Sequence, residues 1–137
     1  MTAIADTGAL VALIDPDTLE HGWACDVARH LQRPFLTSEP VLAEAAFILT
    51  RDGFDADALF ALADTGSLLV GIDFNHERGR LRELMRRYRN VPMSLADATL
   101  VRLSECHRDS RIWTLDSDFL IYRRHGNKTI PVLMPGE

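Results

Sequence analysis

The chain has 137 residues, 47% of them hydrophobic and 26% charged, with a formal net charge of −5. This is ordinary globular composition for one domain, long enough to bury a core without disulfide or metal staples. The net acidity argues against a simple basic coat for nucleic acid. Two cysteines outside any CxxC pair argue against a disulfide framework or a zinc site. The longest apolar runs, 9–14 and 41–49, are too short to span a bilayer, so no membrane association is expected. The opening lacks a basic segment and carries Asp6 where a secretory signal would stay apolar, which predicts a cytoplasmic protein.

Charge is unevenly distributed. Residues 1–77 hold three basic residues against thirteen acids, whereas 78–137 hold twelve against seven. That split fits an acidic pocket beside a basic surface.

In chain order, residues 2–5 read as a short buried strand and Thr7-Gly8 as the turn at its end. A helix over 9–14 stops at Asp15-Pro16, and a second over about 21–31 carries an apolar stripe through Trp23, Val27, His30 and Leu31. A strand at 34–37 leads to Ser38, a plausible N-cap, with Pro40 in the first helical turn. The helix over 41–49 is apolar on every face except at Glu44, which predicts a buried helix whose one charge points into something. A shorter helix at about 56–63, a strand at 68–72 and a long arginine-bearing helix at 74–88 follow. Ser94 starts another helix that runs to about residue 106. A strand at 111–115 leads directly into Asp116, and a small helix follows it. A final strand at 129–133 contains Pro131, which points to a sheet edge. Strands alternating with helices imply an α/β fold with a mainly parallel central sheet and helices on both faces. In such sheets functional groups gather at the carboxyl ends of strands.

Asp6, Glu44, Asp97 and Asp116 all stand in apolar company, where a carboxylate is costly unless something positive or hydrogen-bonding meets it. Three have a structural alternative. Asp6 reads equally as a helix cap, Ser94-x-x-Asp97 resembles a capping box, and Asp116 or Ser117 can cap the Phe119 helix. Glu44 sits in mid-helix, and its alternative is a buried ion pair with an arginine. One bound cation accounts for all four. They are hard oxygen ligands with no His or Cys near them in sequence, which favours Mg²⁺ or Mn²⁺. Thr7 and Thr114 are positioned to add hydroxyls. Asp118 is readable either as a further ligand or as a cap. The chemistry such a set supports is phosphodiester hydrolysis.

The ordered motifs are Asp6-Thr7-Gly8 after the first strand, Val41-Leu42-Ala43-Glu44, Ser94-Leu95-Ala96-Asp97-Ala98 and Thr114-Leu115-Asp116-Ser117-Asp118-Phe119. Together they resemble the PIN-domain family, and especially the VapC-type toxins of bacterial toxin–antitoxin pairs, over nearly the whole chain. The resemblance implies a three-layer α/β/α sandwich and Mg²⁺- or Mn²⁺-dependent RNase activity. It makes Asp6, Glu44, Asp97 and Asp116 the acidic quartet, with Thr7 and Thr114 in support. It also implies a homodimer and inhibition by a VapB-type antitoxin.

Arg78, Arg82, Arg86 and Arg89 fall on one helical stripe. It reads either as a phosphate-positioning surface or, preferably, as a solvated face with local pairs such as Glu83–Arg87. Arg123 and Arg124, close behind Asp116, are the better candidates for RNA contact near the cut site. Asp-Thr-Gly is also the aspartic-protease triplet, but that class is built on strands, and residues 9–14 and 41–49 read as helices. A phospho-receiver domain needs paired acids after the first strand and a late-strand Lys, and the only Lys here is Lys128. A PIN-like module that binds RNA or protein without cutting is the remaining rival, opposed by the intact quartet.

Overall fold

The computed structural model describes residues 1–136. Its centre is a five-stranded sheet in the order β3-β2-β1-β4-β7, built from β1 (Thr2–Ala5), β2 (Gln32–Thr37), β3 (Leu68–Val70), β4 (Ser110–Trp113) and β7 (Val132–Leu133). Every pairing in this sheet is parallel. The helices are α1 (Thr7–Ile14), α2 (His21–His30), α3 (Glu39–Arg51), α4 (Asp57–Asp64), α5 (Phe74–Arg87) and α6 (Leu95–Cys106). The chain moves from β1 outward to β2 and β3, then crosses back past β1 to β4. Right-handed crossovers therefore place α1 to α4 on one face of the sheet and α5 and α6 on the other. This is the α/β sandwich expected from the alternation of elements, and it excludes an all-β protease architecture.

The central strands read as continuous apolar runs because both of their faces are covered. Ala3, Ile4, Ala5, Ile112 and Trp113 are fully buried, and Trp113 packs edge-on against Phe35 with ring centroids 5.4 Å apart. The register Ala5↔Trp113, with the Asp6 N–H donating to Trp113 O at 2.9 Å, ends β1 and β4 side by side. On its other side β1 pairs with β2. The sheet order thus reverses at β1, and the crevice beyond the carboxyl ends of β1 and β4 is the place where such folds bind ligands.

Three local expectations are corrected. Thr7-Gly8 is the first turn of α1 and not a separate loop, because Asp6 caps the helix there by accepting from the Thr7 N–H at 2.8 Å. The strand expected over 129–133 is split: β6 (Lys128–Thr129) forms a small antiparallel pair with β5 (Arg123–Arg124), and only β7 joins the main sheet, at its edge. Pro131 separates the two pieces, since it has no N–H to continue a ladder. Finally, α3 is not buried all round. Val41, Ala45 and Leu49 face the core, but Ala43 and Glu44 are exposed and Phe47 is 67% exposed. The helix packs on α1 and α6, with Leu42, Ala46 and Ile48 partly covered at the margins and Ala43 and Phe47 left in the open.

Candidate active site

The crevice at the ends of β1 and β4 is an open cleft of about 370 Å³ whose lining includes Asp6, Glu44, Asp97 and Asp116. Four carboxylates scattered over 110 residues of chain are thus brought to one concavity. Thr7, Gly8, Ser94 and Leu115 complete its wall. Gly8 permits a close approach: a Cβ there would lie 3.3 Å from Leu115 Cδ1.

Asp6 is held on the buried side. Its Oδ1 accepts from the Thr7 N–H, and its Oδ2 accepts from Thr114 Oγ1 at 2.6 Å. Thr114 Oγ1 in turn accepts from the Asp116 N–H at 2.9 Å, so one buried hydroxyl fixes Asp6 relative to Asp116. Asp116 Oδ1 accepts from the Asp118 N–H at 2.9 Å and caps the short 3₁₀ helix Ser117–Leu120. Asp97 stands in the capping box with Ser94, as the sequence suggested. Only one of its oxygens is used: Oδ2 accepts from the Ser94 N–H and, at 2.9 Å, from Tyr122 O–H. Capping and cleft-lining are therefore not alternatives here. The second oxygen, Oδ1, has no hydrogen bond among the described residues.

Asp97, Asp116 and Asp118 each offer a carboxylate oxygen, and these oxygens lie within 4.8 Å of one another. Asp6 and Glu44 share the cleft but stand outside that trio. Glu44 is at the exposed lip, and no salt bridge joins it to an arginine among the described residues, so the ion-pair alternative is absent. None of the other cleft carboxylates has a cationic partner there either. Burial raises the Asp6 carboxyl to about 6, against the hydrogen bonds from Thr114 and Thr7, and Asp97 and Asp116 push it further up. Burial likewise raises Asp97, opposed by the Tyr122 and Ser94 hydrogen bonds and reinforced by Asp116. The cleft holds more negative charge than it can compensate. Thr7 Oγ1 is buried at its floor without a hydrogen-bond partner. Crowded carboxylate oxygens, an orphaned hydroxyl and no nitrogen or sulfur donor fit a hard divalent cation.

Arg123 and Arg124 are turned to other work. Arg123 Nη1 donates to the carbonyls of Leu120, Ile121 and Tyr122, closing the end of the 3₁₀ helix. Arg124 donates to Ser104 O at 2.9 Å and Arg108 O at 3.2 Å, tying β5 to the end of α6. The pair Glu83–Arg87 does not form: Glu83 accepts from Arg80 at 3.2 Å, and Arg87 reaches the Gly126 carbonyl and lies over the Tyr88 ring. Tyr122, which the sequence did not single out, is fully buried between Tyr88 and Phe119 with its hydroxyl on Asp97. No spacing rule pairs residues 97 and 122; only the fold does.

The PIN-domain sequence model matches residues 3–124. No relative is found among curated protein sequences. Among solved structures, the chain is similar to Mycobacterium tuberculosis VapC20, described as a Sarcin-Ricin loop cleaving toxin. The TM-score is 0.75 at 22% identity, covering 85% of this chain and 92% of that one. No helix among the described residues is long and apolar enough to cross a membrane.

Proposed function

Since the chain belongs to the PIN-domain family, we propose that it is a metal-dependent endoribonuclease of the VapC type, hydrolysing RNA phosphodiesters at the cleft beyond β1 and β4. The observation that carries this reading is the convergence of Asp97, Asp116 and Asp118 on one point, beside Asp6 and Glu44 and without any cationic partner. Asp97, Asp116 and Asp118 would hold the ion, Mg²⁺ or Mn²⁺ by donor type, with Asp6 and Glu44 as the remaining acids of the cleft. When bound, such an ion activates water and neutralises phosphate oxygens in an in-line displacement.

The chain's own residues supply the rest. Thr114 keeps Asp6 and Asp116 in fixed relation, and Tyr122 fixes the plane of Asp97. Glu44, on the exposed lip, is placed to meet the ribose or the water on the open side of the cleft. The expected products carry a 5′-phosphate and a 3′-hydroxyl. A homodimer, a VapB-type antitoxin and a cytoplasmic setting belong to the same reading. The apolar cleft of about 480 Å³ between α3, α4 and β3, bordered by exposed Phe60 and Leu69, supports a protein partner. A non-cutting PIN-like module is disfavoured because none of the acids is missing.

The test is incubation with a mixed RNA pool in Mn²⁺, in Mg²⁺ and in EDTA, beside Asp6→Asn. Metal-dependent fragments ending in 5′-phosphate, absent with the variant, are expected. Intact RNA with folded, metal-loaded protein would transfer the chain to the binding-module reading.

A further inference from the structure

A basic surface lies on α5 and the turn that follows it, and it is not consumed by the fold. Arg82, Arg86 and Arg89 make no ion pair or hydrogen bond among the described residues, and Arg78 makes only a local bond to the Asn75 carbonyl. The acids that might have neutralised them are engaged elsewhere. Glu77 accepts from Arg102 at 2.6 Å, and Glu83 and Glu105 accept from Arg80 at 3.2 and 2.7 Å. The solvated, locally paired face expected from sequence is therefore a row without ion pairs. Arg78, Arg82 and Arg86 stand one helical turn apart on α5, about 6 Å along the axis, and Arg89 follows in the turn after the helix.

This row walls an open groove of about 390 Å³ whose floor is apolar, formed by Phe74, Met85 and Leu95. Phe74 is 54% exposed. It is shared, with Leu95, by a second groove that runs past Ala43 to the foot of α3. Ser94 and Glu44, the chain neighbours of Leu95 and Ala43, line the acidic cleft. The arginine groove and the carboxylate cleft are thus consecutive stretches of one surface.

We propose that the α5 groove is the track for the flanking strand of a single-stranded RNA, with phosphates on Arg78, Arg82, Arg86 and Arg89 and a base stacked on Phe74. The occupant follows from charge complementarity and composition. Regularly spaced guanidiniums meet a polyanion, and an exposed aromatic ring on an apolar floor suits an unpaired base, which a duplex does not offer. The track also explains how a net-acidic chain holds RNA against its own carboxylates: attraction and chemistry occupy adjacent but separate surfaces. The inference deepens the nuclease reading and rests on it for the identity of the polyanion.

The experiment is fluorescence anisotropy of a labelled single-stranded RNA with the full chain in EDTA, over a salt series. The same preparations are assayed for cleavage in Mn²⁺. Arg82→Ala/Arg86→Ala, at exposed positions, should weaken binding and make the slope of log K against log salt shallower by about 1.4, two contacts at about 0.7 each. Phe74→Ala should weaken binding about tenfold with the slope unchanged. Unaltered affinity and slope in both variants would overturn the track, even if cleavage persists. Loss of slope in a protein that binds but never cleaves would keep the track and overturn the nuclease. Poly-glutamate displacing the RNA at equal charge, with Phe74→Ala indistinguishable from the parent, would assign the groove to an acidic protein segment and overturn the proposal.

Discussion

Tyr122 donates its hydroxyl to Oδ2 of Asp97 at 2.9 Å, joining the end of the 3₁₀ segment to the first turn of α6. Burial, then the neighbouring Asp97 carboxylate, hold the phenol well above its ordinary range, so it remains a donor wherever Asp97 is ionised. Its ring is locked edge-on by Tyr88 and Phe119, at centroid distances of 5.1 and 5.3 Å. Asp97 consequently presents one fixed free oxygen to the cleft.

Tyr122→Phe keeps the ring packing and deletes only this bond. The expected loss of stability is about 1 kcal/mol. Divalent-metal affinity should fall by roughly 10–100-fold, as when a ligand loses its orienting partner. Titration calorimetry with Mn²⁺ checks this, and equal metal affinity in variant and parent would remove Tyr122 from the site.

Asp6 is expected to make the metal-free protein less stable at neutral pH. Its folded-state pKa is about 6 against 3.8 unfolded, so between those values the folded chain binds more protons. Stability in EDTA should therefore fall as pH rises from about 4 to about 6, by at most about 3 kcal/mol, and stay low above that. Asp6→Asn removes the charge but leaves the Thr114 hydroxyl without a full acceptor. It should stabilise the EDTA form at pH 7.5 by about 1 kcal/mol while abolishing cleavage. Denaturant unfolding at pH 4.5 and 7.5 measures the stabilities and an RNA digest the cleavage; a pH-independent stability difference between parent and variant would contradict the assignment.

Divalent ions should act in the opposite sense. A cation that relieves the carboxylate crowding raises stability with the logarithm of its free concentration, by about 2.7 kcal/mol at a hundredfold excess over Kd. For a domain of this size that is a rise in Tm of roughly 10 °C. Affinity should increase with pH through about 6, as Asp6 gives up its proton. Asp116→Asn should remove most of the thermal shift, which scanning calorimetry in Mn²⁺ and EDTA reads directly.

Glu105 provides the contrasting case, a carboxylate that stabilises the fold. Burial alone would raise it. Arg80, the His125 N–H and Arg102 outweigh that and bring it down to about 2 from 4.5. Its contribution is fully present above pH 4.5 and is lost as pH falls towards 2. Glu105→Gln leaves Arg80 and Arg102 without their shared partner and should cost about 3 kcal/mol at pH 7. The difference from the parent should narrow under acid. Urea midpoints at pH 7 and pH 3 give the comparison.

The alternation of apolar strands and helices was enough to read the α/β class, because both periodicities are local and a parallel sheet needs both faces covered. Asp6 and Asp116 were legible for the same reason: each follows a strand directly, and strand ends are where such sheets carry their sites. Other features were decided only when the chain closed on itself. The periodicity of α3 could not tell a helix buried all round from one packed on a single stripe, because that depends on how much surface α1 and α6 present to it. Glu44 therefore lies at an exposed lip. The sequence shows Arg78, Arg82, Arg86 and Arg89 as one stripe. Whether they are neutralised depends on where Glu77 and Glu83 turn, and Glu77 is drawn away by Arg102, 25 residues on, a pairing no local spacing encodes. Arg123 turns its Nη1 onto carbonyls of the segment just before it, and the fold brings the Ser104 and Arg108 carbonyls to Arg124. Local pattern determined which residues are acidic, apolar or helical here. Long-range packing determined which charges are satisfied, and so which remain to act.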